Sequence, residues 1–229
     1  MKRIVIICEG ETEQEFCNKI LTPYLASKCI YVYAPLIKHT HGGIVKWTIL
    51  KKQIESNLFQ DSKAYVTLFV DYYGITEDHN FPLWNDAHKI VNKIERIKLL
   101  EKGMCEDVNE ELNLRFIPYM QLHEFESLLF CDANAVIDTI DDDELNDKDD
   151  FIALVDNNPN PEMINNSKVT SPSHRMEKYI TGYNKIVYGN IIAENIGIDN
   201  MRKKCVHFNE WIKAIESIKE LQKITETWK

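Results

Sequence analysis

Four short apolar runs in the first 120 residues predict β-strands, at residues 4–8, 29–37, 64–70 and 114–120. The first and third are nearly continuous and rich in β-branched residues, and each ends at a polar turn. This pattern is typical of strands that are buried on both faces of a sheet. Pro118 lies inside the fourth run and favours an edge strand or a bulge, because proline cannot donate a ladder hydrogen bond.

Apolar residues recur at helical spacing between and after these runs. We expect Thr12 to cap the first helix with Glu15 completing a capping box, and Pro23 to break or kink it. Alternating strands and helices predict an α/β fold with a mainly parallel, helix-covered sheet. Helices are predicted at residues 13–26, 45–58, 86–100, 173–184, 186–196 and 200–223, with residues 1–132 forming the α/β core and residues 133–229 a mostly helical extension packed on it.

Composition narrows the classes of function. Of the 229 residues, 44% are hydrophobic and 28% are charged, which is ordinary for a globular protein. The net charge of −9 argues against a passive nucleic-acid-binding module, which would usually be basic. It leaves open an enzyme that meets phosphates through metal ions held by carboxylates. The acidic run at residues 141–150 is interpreted as a solvated loop without chemistry.

Targeting and redox signals are weak. No apolar stretch approaches the roughly 18 residues that a membrane span needs, and the N-terminal run is too short for a signal peptide. We therefore expect a cytoplasmic protein without a membrane partner. The six cysteines form no CxxC pair, which favours free, mostly buried thiols over disulfides or a zinc site.

Acidic residues follow three of the predicted strands: Glu9, Asp71, and the pair Glu124 and Glu126. The carboxyl ends of parallel strands meet at one edge of a sheet, where ligands bind. Grouped carboxylates repel one another unless a cation lies among them, and Mg²⁺ prefers such oxygen ligands. Each acid alone is also explained as a loop acid, a turn cap or a helix N-terminal acid. Together they favour a Mg²⁺ site suited to phosphodiester cleavage.

Four motifs resemble a known family. EGETE at residues 9–13, DYYG at 71–74, HEFESLLF at 123–130 and RKKCVHFNEWI at 202–212 are similar to a TOPRIM-related bacterial family. That family includes the effector subunit of the PARIS anti-phage system, and OLD-type nucleases are relatives. The resemblance implies a TOPRIM-like fold and a metal-dependent nuclease of RNA or DNA. It also implies a toxic effector in anti-phage defence that a partner ATPase keeps in check.

The resemblance also implies site residues. In TOPRIM proteins a Glu and a DxD motif hold Mg²⁺, but Tyr73 stands here in place of the second Asp. Glu9 and Asp71 are therefore the expected principal ligands, with Mn²⁺ as a substitute metal. Glu124 and Glu126 complete the predicted catalytic set, and Glu126 together with Glu13, one helical turn from Glu9, completes the predicted metal ligands.

Basic residues supply candidate contacts to nucleic acid. His123, Arg175, Lys178 and Lys185 are the predicted contacts to a phosphate backbone. A structural histidine and solvated helix faces are the plainer alternatives. His39 and His41 alternate in a predicted loop and are interpreted as loop residues or phosphate contacts. A homodimer is expected because related nucleases often pair.

Two other functions remain open at this point. Tyr73 and the overall acidity favour a TOPRIM-like scaffold that lost its metal site and serves as a protein-binding subunit. A phosphatase or other Mg²⁺-dependent phosphotransfer enzyme would use the same carboxylates. No P-loop, GxGxxG or Gly-x-Ser-x-Gly motif is present, so a Walker-type nucleotide hydrolase and a serine hydrolase are not supported.

Overall fold

A computed structural model describes residues 2–38, 43–164 and 170–219. Over these residues the protein has an α/β fold with one four-stranded, all-parallel sheet. The predicted loop histidines His39 and His41 lie outside the described residues, as do positions 220–223 of the last predicted helix. The strands are β1 (Lys2–Cys8), β2 (Ile30–Tyr33), β3 (Ala64–Phe69) and β4 (Phe116–Ile117), in the order β2-β1-β3-β4.

Parallel pairing aligns the strand ends. The register of β1 and β3 runs from Arg3 beside Ala64 to Cys8 beside Phe69, so both strands end at the same level. An isolated bridge between Asp71 and Gln121 continues the pairing beyond β3. The residues that follow β1, β3 and β4 therefore lie along one edge of the sheet.

Helices cover both faces of the sheet. One buried cluster includes Ile4 and Ile6 of β1 together with Ile192, Phe208 and Ile212 of the C-terminal helices. The helices are α1 (Glu11–Phe16), α2 (Thr22–Ala26), α3 (Trp47–Gln60), α4 (Trp84–Ala87), α5 (Lys93–Asp107), α6 (Ala133–Ile137), α7 (Lys148–Asp156), α8 (Pro172–Tyr179), α9 (Tyr188–Ile196), α10 (Ile198–Lys204) and α11 (Val206–Glu216). On the other face, α3 and α5 pack their apolar sides against the sheet. Trp211 also donates a hydrogen bond from Nε1 to Thr67 Oγ1 at 2.8 Å, which joins α11 to β3. The division at residue 132 stays a prediction.

The start of the first helix differs from the prediction. Thr12 and Glu15 are wrong as the cap and the capping-box partner, because the helix already begins at Glu11. Gly10 is the N-cap, and the Glu13 side chain accepts a hydrogen bond from its backbone N–H at 2.9 Å. A π-helical segment, Cys17–Leu21, then connects α1 to α2 just before Pro23. Such a turn accommodates the missing proline N–H without ending the helix.

Several predicted helices are shorter or divided. The single helix predicted at residues 86–100 is wrong, because α4 ends at Ala87 and α5 begins at Lys93. Asn92 starts the second piece, since its side chain accepts hydrogen bonds from the backbone N–H groups of Ile94 and Glu95. The helix predicted at residues 200–223 is likewise interrupted, at Cys205, which has extended backbone angles.

The structure bears on two of the predictions, those about the cysteines and about membrane spans. All six cysteines are free, and Cys8, Cys17, Cys131 and Cys205 are buried. In the portion of the chain that the structure describes, no helix is long and apolar enough to cross a membrane.

Candidate active site

Glu9 and Asp71 meet at the carboxyl edge of the sheet. Glu9 follows β1, and its carboxylate Oε2 accepts a hydrogen bond from the backbone N–H of Asp71 at 2.9 Å. The backbone N–H of Glu9 in turn donates to the Phe69 carbonyl at 3.0 Å, which holds the two strand ends together. The parallel register of β1 and β3 therefore places two acidic residues, 62 positions apart in the chain, next to each other.

Glu13 enters the same site from the first turn of α1. It is almost completely buried, and while Oε2 accepts the Gly10 N–H, Oε1 has no hydrogen-bond partner. Gly10 is important for this contact, because a Cβ atom at that position would lie only 3.2 Å from Glu13 Oε2. The glycine after β1 thus lets a second carboxylate approach the strand end closely.

Glu126 reaches the site from the segment after β4. It lies in the 3₁₀ helix Phe125–Cys131, is 1% exposed, and has an Oε1 atom without a hydrogen-bond partner. The segment is fixed to the turn after β3, since Tyr73 donates its backbone N–H to the His123 carbonyl at 3.0 Å. Asp71 Oδ1 is also buried without a hydrogen-bond partner. Three carboxylates therefore carry unpaired, buried oxygens.

Burial and mutual repulsion disfavour ionisation of this group. Burial raises the pKa of both Glu9 and Glu126 to about 7. Burial, followed by the charges of Glu13, Glu9 and Glu126, raises the pKa of Asp71 well above its usual range. Burial likewise raises the pKa of Glu13, which Lys185 partly opposes. The four acids behave as one electrostatic group.

Lys185 supplies the positive charge nearest to these acids that the described residues provide. Lys185 is exposed in part, and partial desolvation would lower its pKa, but Glu126, Glu13, Asp71 and Glu9 together raise it. No direct ion pair joins Lys185 to these carboxylates within the described ranges, so its charge acts on them without a direct contact. One lysine leaves most of the charge of four carboxylates uncompensated.

Three of the four acids, Glu9, Glu13 and Asp71, line a cavity of about 430 Å³. Lys185 and Thr12 also line it, and the buried Oγ1 of Thr12 is unpaired. The donors are all oxygen atoms, as Mg²⁺ prefers, and their unpaired state suits a cation. Among the described residues, however, no three acidic, histidine or cysteine side chains already stand in an arrangement that could hold one ion. The donor chemistry fits a divalent cation, and binding requires the side chains to converge.

Comparison with known proteins identifies the family to which the chain belongs. The model of the family described as "Domain of unknown function (DUF4276)" matches residues 8–216. The chain belongs to the DUF4276 family. Among solved structures, the C-terminal region of the Burkholderia pseudomallei OLD protein is similar, with a TM-score of 0.45 and 14% sequence identity over 93% of this chain and 96% of that chain. No curated protein matches the chain. Kinship with the PARIS effector subunit stays a prediction.

In this DUF4276 protein, two of the predicted residues near the site are engaged elsewhere. Glu124 Oε2 accepts the backbone N–H of Ser173 at 2.9 Å, at the N-terminus of α8, where the helix dipole favours an acid. His123 is buried, and burial followed by the charge of Lys93 lowers its pKa to about 4. His123 is therefore neutral at pH 7, and its Nε2 lies 3.4 Å from Lys93 Nζ.

The structure does not bring Arg175 and Lys178 to the cavity. Arg175 donates from Nε to the Thr170 carbonyl at 2.9 Å. Lys178 donates from Nζ to Asp150 Oδ2 at 3.0 Å, at the end of the acidic run. Of the four predicted nucleic-acid contacts, Lys185 is the one that lines the cavity.

Two polar groups near the site were not predicted as functional. Thr12 was assigned to helix capping, but its hydroxyl is buried at the cavity without a partner. Tyr183 has a buried, unpaired hydroxyl close to where a Cβ atom on Gly189 would lie, at 3.2 Å. Burial and the charges of Glu126 and Glu124 raise the pKa of Tyr183 well above its usual range. Its place two residues before Lys185 is the one sequence signal that could have identified it.

Proposed function

We propose that this protein is a divalent-cation-dependent nuclease that hydrolyses phosphodiester bonds at the cavity beside Glu9 and Asp71. One observation carries the proposal. Glu13, Asp71 and Glu126 come from three separate segments of the chain, and each has a buried carboxylate oxygen without a hydrogen-bond partner. Such groups are rare in folded proteins and call for a ligand that the polypeptide does not supply.

The charge of the group indicates which ligand would bind. Four buried carboxylates facing one lysine repel each other, which raises their pKa values. A divalent cation would remove that repulsion and would allow all four acids to ionise at pH 7. Glu9 and Asp71 would be its principal ligands, with Glu13 and Glu126 completing the set. When bound, Mg²⁺ or Mn²⁺ would supply an activated water and neutralise charge on the scissile phosphate.

The protein's own residues have distinct roles in this proposal. The Asp71 backbone N–H orients the Glu9 carboxylate, and the Gly10 N–H orients Glu13. Lys185 lines the same cavity as Glu9, Glu13 and Asp71, and its ammonium group would contact a non-bridging phosphate oxygen there. Burial of the acids excludes water from the reacting groups and strengthens each electrostatic contact.

The wider role rests on the motif resemblance alone. We propose RNA or DNA as the substrate, a toxic effector role in anti-phage defence, and a partner ATPase that restrains the nuclease. A homodimer belongs to the same proposal. The nuclease site is the part of the proposal that Glu9, Asp71 and their neighbours support.

A second candidate function is a non-catalytic subunit that binds another protein. Two observations favour it. Tyr73, 40% exposed, occupies the position of an acid in the resembling motif. No ready arrangement of metal ligands is present in the part of the chain described. In this alternative Lys185 and protonation of the acids would balance the buried charge permanently.

Metal binding separates the two functions. We expect calorimetry to detect Mn²⁺ or Mg²⁺ binding by the wild-type protein and not by Asp71→Asn, and we expect cleavage of mixed RNA and DNA to be lost in Glu9→Ala. Glu15→Gln is the matched control, because Glu15 lies on the same helix and pairs with Lys19 on the surface. Equal nuclease activity in wild type and Glu9→Ala would refute the assignment of Glu9. A wild-type protein that binds no metal at millimolar concentration would favour the non-catalytic subunit.

A further inference from the structure

One segment of this acidic protein is strongly basic. The chain has 36 acidic and 27 basic residues, yet residues 16–54 contain no aspartate or glutamate. They contain six lysines: Lys19, Lys28, Lys38, Lys46, Lys51 and Lys52. This segment includes the edge strand β2 and most of α3, so it borders the candidate active site. Its charge is opposite to that of the rest of the protein.

A groove in this segment adjoins the acidic cavity. Its volume is about 610 Å³, and it lies between α3 and the residues that follow β2, with Lys38, Lys52 and Gln53 among its lining residues. Gln53 fixes the wall, since it accepts the Lys38 N–H at 2.8 Å and donates to the Leu36 carbonyl at 3.0 Å. Leu36 and Ile37 line the acidic cavity, and Lys38 lines the groove. Adjacent residues of one short segment therefore line the two concave surfaces.

Exposed aromatic residues lie on β2 and α3, the elements that border the groove. Tyr31 and Tyr33 on β2 are 65% and 62% exposed. They lie on the α3 face of the sheet, because Ile30 and Val32 alternate with them and pack into the core of the opposite face. Phe59 is 63% exposed, and it shares one stripe of α3 with three groove residues at helical spacing, Ile49, Lys52 and Ser56.

Lysines and exposed aromatic rings along a groove are the features with which proteins bind single strands of nucleic acid. The lysines contact phosphates, and unpaired bases stack on the rings regardless of sequence. A duplex would not expose base faces to Tyr31 and Tyr33, so a single strand fits better. A protein partner with an acidic surface would use the lysines but would not require a groove next to the carboxylate cavity.

We propose that the groove between β2 and α3 binds a single-stranded segment of nucleic acid and leads it into the acidic cavity. Lys38 and Lys52 bind its phosphates, and Tyr33 and Tyr31 stack its bases. The proposal rests on the proposed nuclease function for its purpose, but binding to the groove is measurable without any cleavage.

Binding is tested with fluorescently labelled 15-nucleotide RNA and DNA strands by anisotropy, in EDTA so that no cleavage occurs. The double variant Lys38→Glu/Lys52→Glu is expected to lose at least tenfold in affinity. The slope of log affinity against log salt concentration should become shallower by about 1.4, because the variant loses two phosphate contacts and each contributes about 0.7 to the slope for a single strand. The control is Lys203→Glu/Lys204→Glu, which makes the same charge change on exposed residues of α10. An affinity within twofold of wild type, or an equal loss in the control, would overturn the proposal.

Stacking is tested separately at Tyr33. Tyr33→Ala is expected to weaken binding about fivefold or more, since it removes one stacking platform. Tyr33→Phe keeps the ring and is expected to bind like the wild type. Wild-type affinity in Tyr33→Ala, or an equal loss in Tyr33→Phe, would contradict the stacking role.

A small substrate separates this proposal from the nuclease function. Bis(p-nitrophenyl) phosphate with Mn²⁺ needs the acidic cavity alone, so the groove variant should hydrolyse it like the wild type while cleaving the 15-nucleotide strands more slowly. If the wild type hydrolyses neither substrate but binds strands through the groove, the nuclease function fails and the groove proposal stands. If the wild type cleaves strands and the groove variant binds and cleaves them equally well, the groove proposal fails and the nuclease function stands.

Discussion

Two groups of buried acids in this protein have opposite surroundings. At the carboxyl edge of the sheet, Glu13, Asp71 and Glu126 each retain a buried oxygen without a hydrogen-bond partner. In the second group, both oxygens of Glu162 accept backbone N–H groups, from His207 at 2.8 Å and from Phe208 at 2.9 Å. The two groups are similar in burial and differ in the satisfaction of their oxygens.

The second group is a link between segments of the fold. Glu101 of α5 accepts hydrogen bonds from the Met120 N–H and from His207 Nε2, both at 2.9 Å. His207 also stacks on Tyr119, with ring centroids 5.1 Å apart. These acids stabilise the packing of α11 against α5 and against the residues that follow β4. Burial alone therefore does not distinguish the two groups of acids, whereas the unsatisfied oxygens do.

The largest expected effect is on activity. Glu9→Gln and Asp71→Asn should each reduce nuclease activity by about 100-fold or more, because loss of a metal ligand removes several kcal/mol of transition-state stabilisation. Neither variant should be less stable without metal, since each removes repulsion from the acidic group. Rates of cleavage and urea unfolding curves measure the two effects. Wild-type nuclease activity in Asp71→Asn would contradict the proposed difference in role between Asp71 and Glu162.

Removing the structural acid should mainly affect stability. Glu162→Ala is expected to lower the free energy of unfolding by about 3 kcal/mol, because two backbone N–H groups lose their buried partner. Urea denaturation measures it, with Glu194→Ala on the exposed side of α9 as the control. The Glu162→Ala protein that remains folded should bind Mn²⁺ as tightly as the wild type. Unchanged stability would show that the two groups of acids do not differ as the hydrogen bonds indicate.

The pH dependence of stability should come mainly from the first group of acids, at the carboxyl edge of the sheet. The pKa values of Glu9 and Glu126 are raised to about 7, so the folded metal-free protein holds protons there that the unfolded chain releases above its ordinary glutamate pKa. The stability of the metal-free protein should therefore fall as pH rises from about 4.5 to above 7. Thermal unfolding at pH 5, 6, 7 and 8 measures this.

Burial also raises the pKa of Glu162, so the second group contributes to the slope in the same direction. The first group should account for most of the slope, because all four of its acids have raised pKa values. Glu9→Gln/Glu126→Gln is expected to flatten the slope. Burial would lower the pKa of His207, but its hydrogen bond to Glu101 and the nearby acids raise it, and this contributes a loss of stability in the same direction. Mn²⁺ should raise the melting temperature more at pH 8 than at pH 6. A double variant with the wild-type slope would contradict this assignment.

The smallest expected effect comes from Gly10→Ala. The added Cβ atom would lie 3.2 Å from Glu13 Oε2 and would displace that carboxylate by a few tenths of an ångström. We expect Mn²⁺ affinity to fall a few-fold, measured by calorimetry. Gly74→Ala is the matched control, since its nearest side-chain atom, on Ile44, is 4.0 Å from the added Cβ. Equal affinities in the two variants would show that Glu13 does not bind the metal.

The strand ends could be predicted from sequence because their signals are local. An apolar run that stops at Glu9 or Asp71 defines a strand end, and parallel pairing aligns such ends. The same reasoning could not separate Glu124 from Glu126. These residues lie two positions apart at the start of a 3₁₀ helix with three residues per turn, so they point in different directions.

The helix cap and the positions of the basic residues depended on tertiary packing, which no local sequence pattern predicts. Gly10 and Thr12 are both acceptable N-cap residues, and the contact of Glu13 with Gly10 decides between them. Arg175, Lys178 and Lys185 form one basic pattern in sequence. The rotation of α8 and the turn after it direct the first two to Thr170 and Asp150 and the third to the acidic cavity.

Diffraction from crystals soaked in MnCl₂ tests the central claim most directly. We predict an anomalous difference peak in the acidic cavity, about 2.1 Å from oxygens of both Glu9 and Asp71 and of at least one of Glu13 and Glu126. A saturating soak without a peak within reach of these carboxylates would contradict the account, because their unpaired oxygens would then not be ligands of a cation.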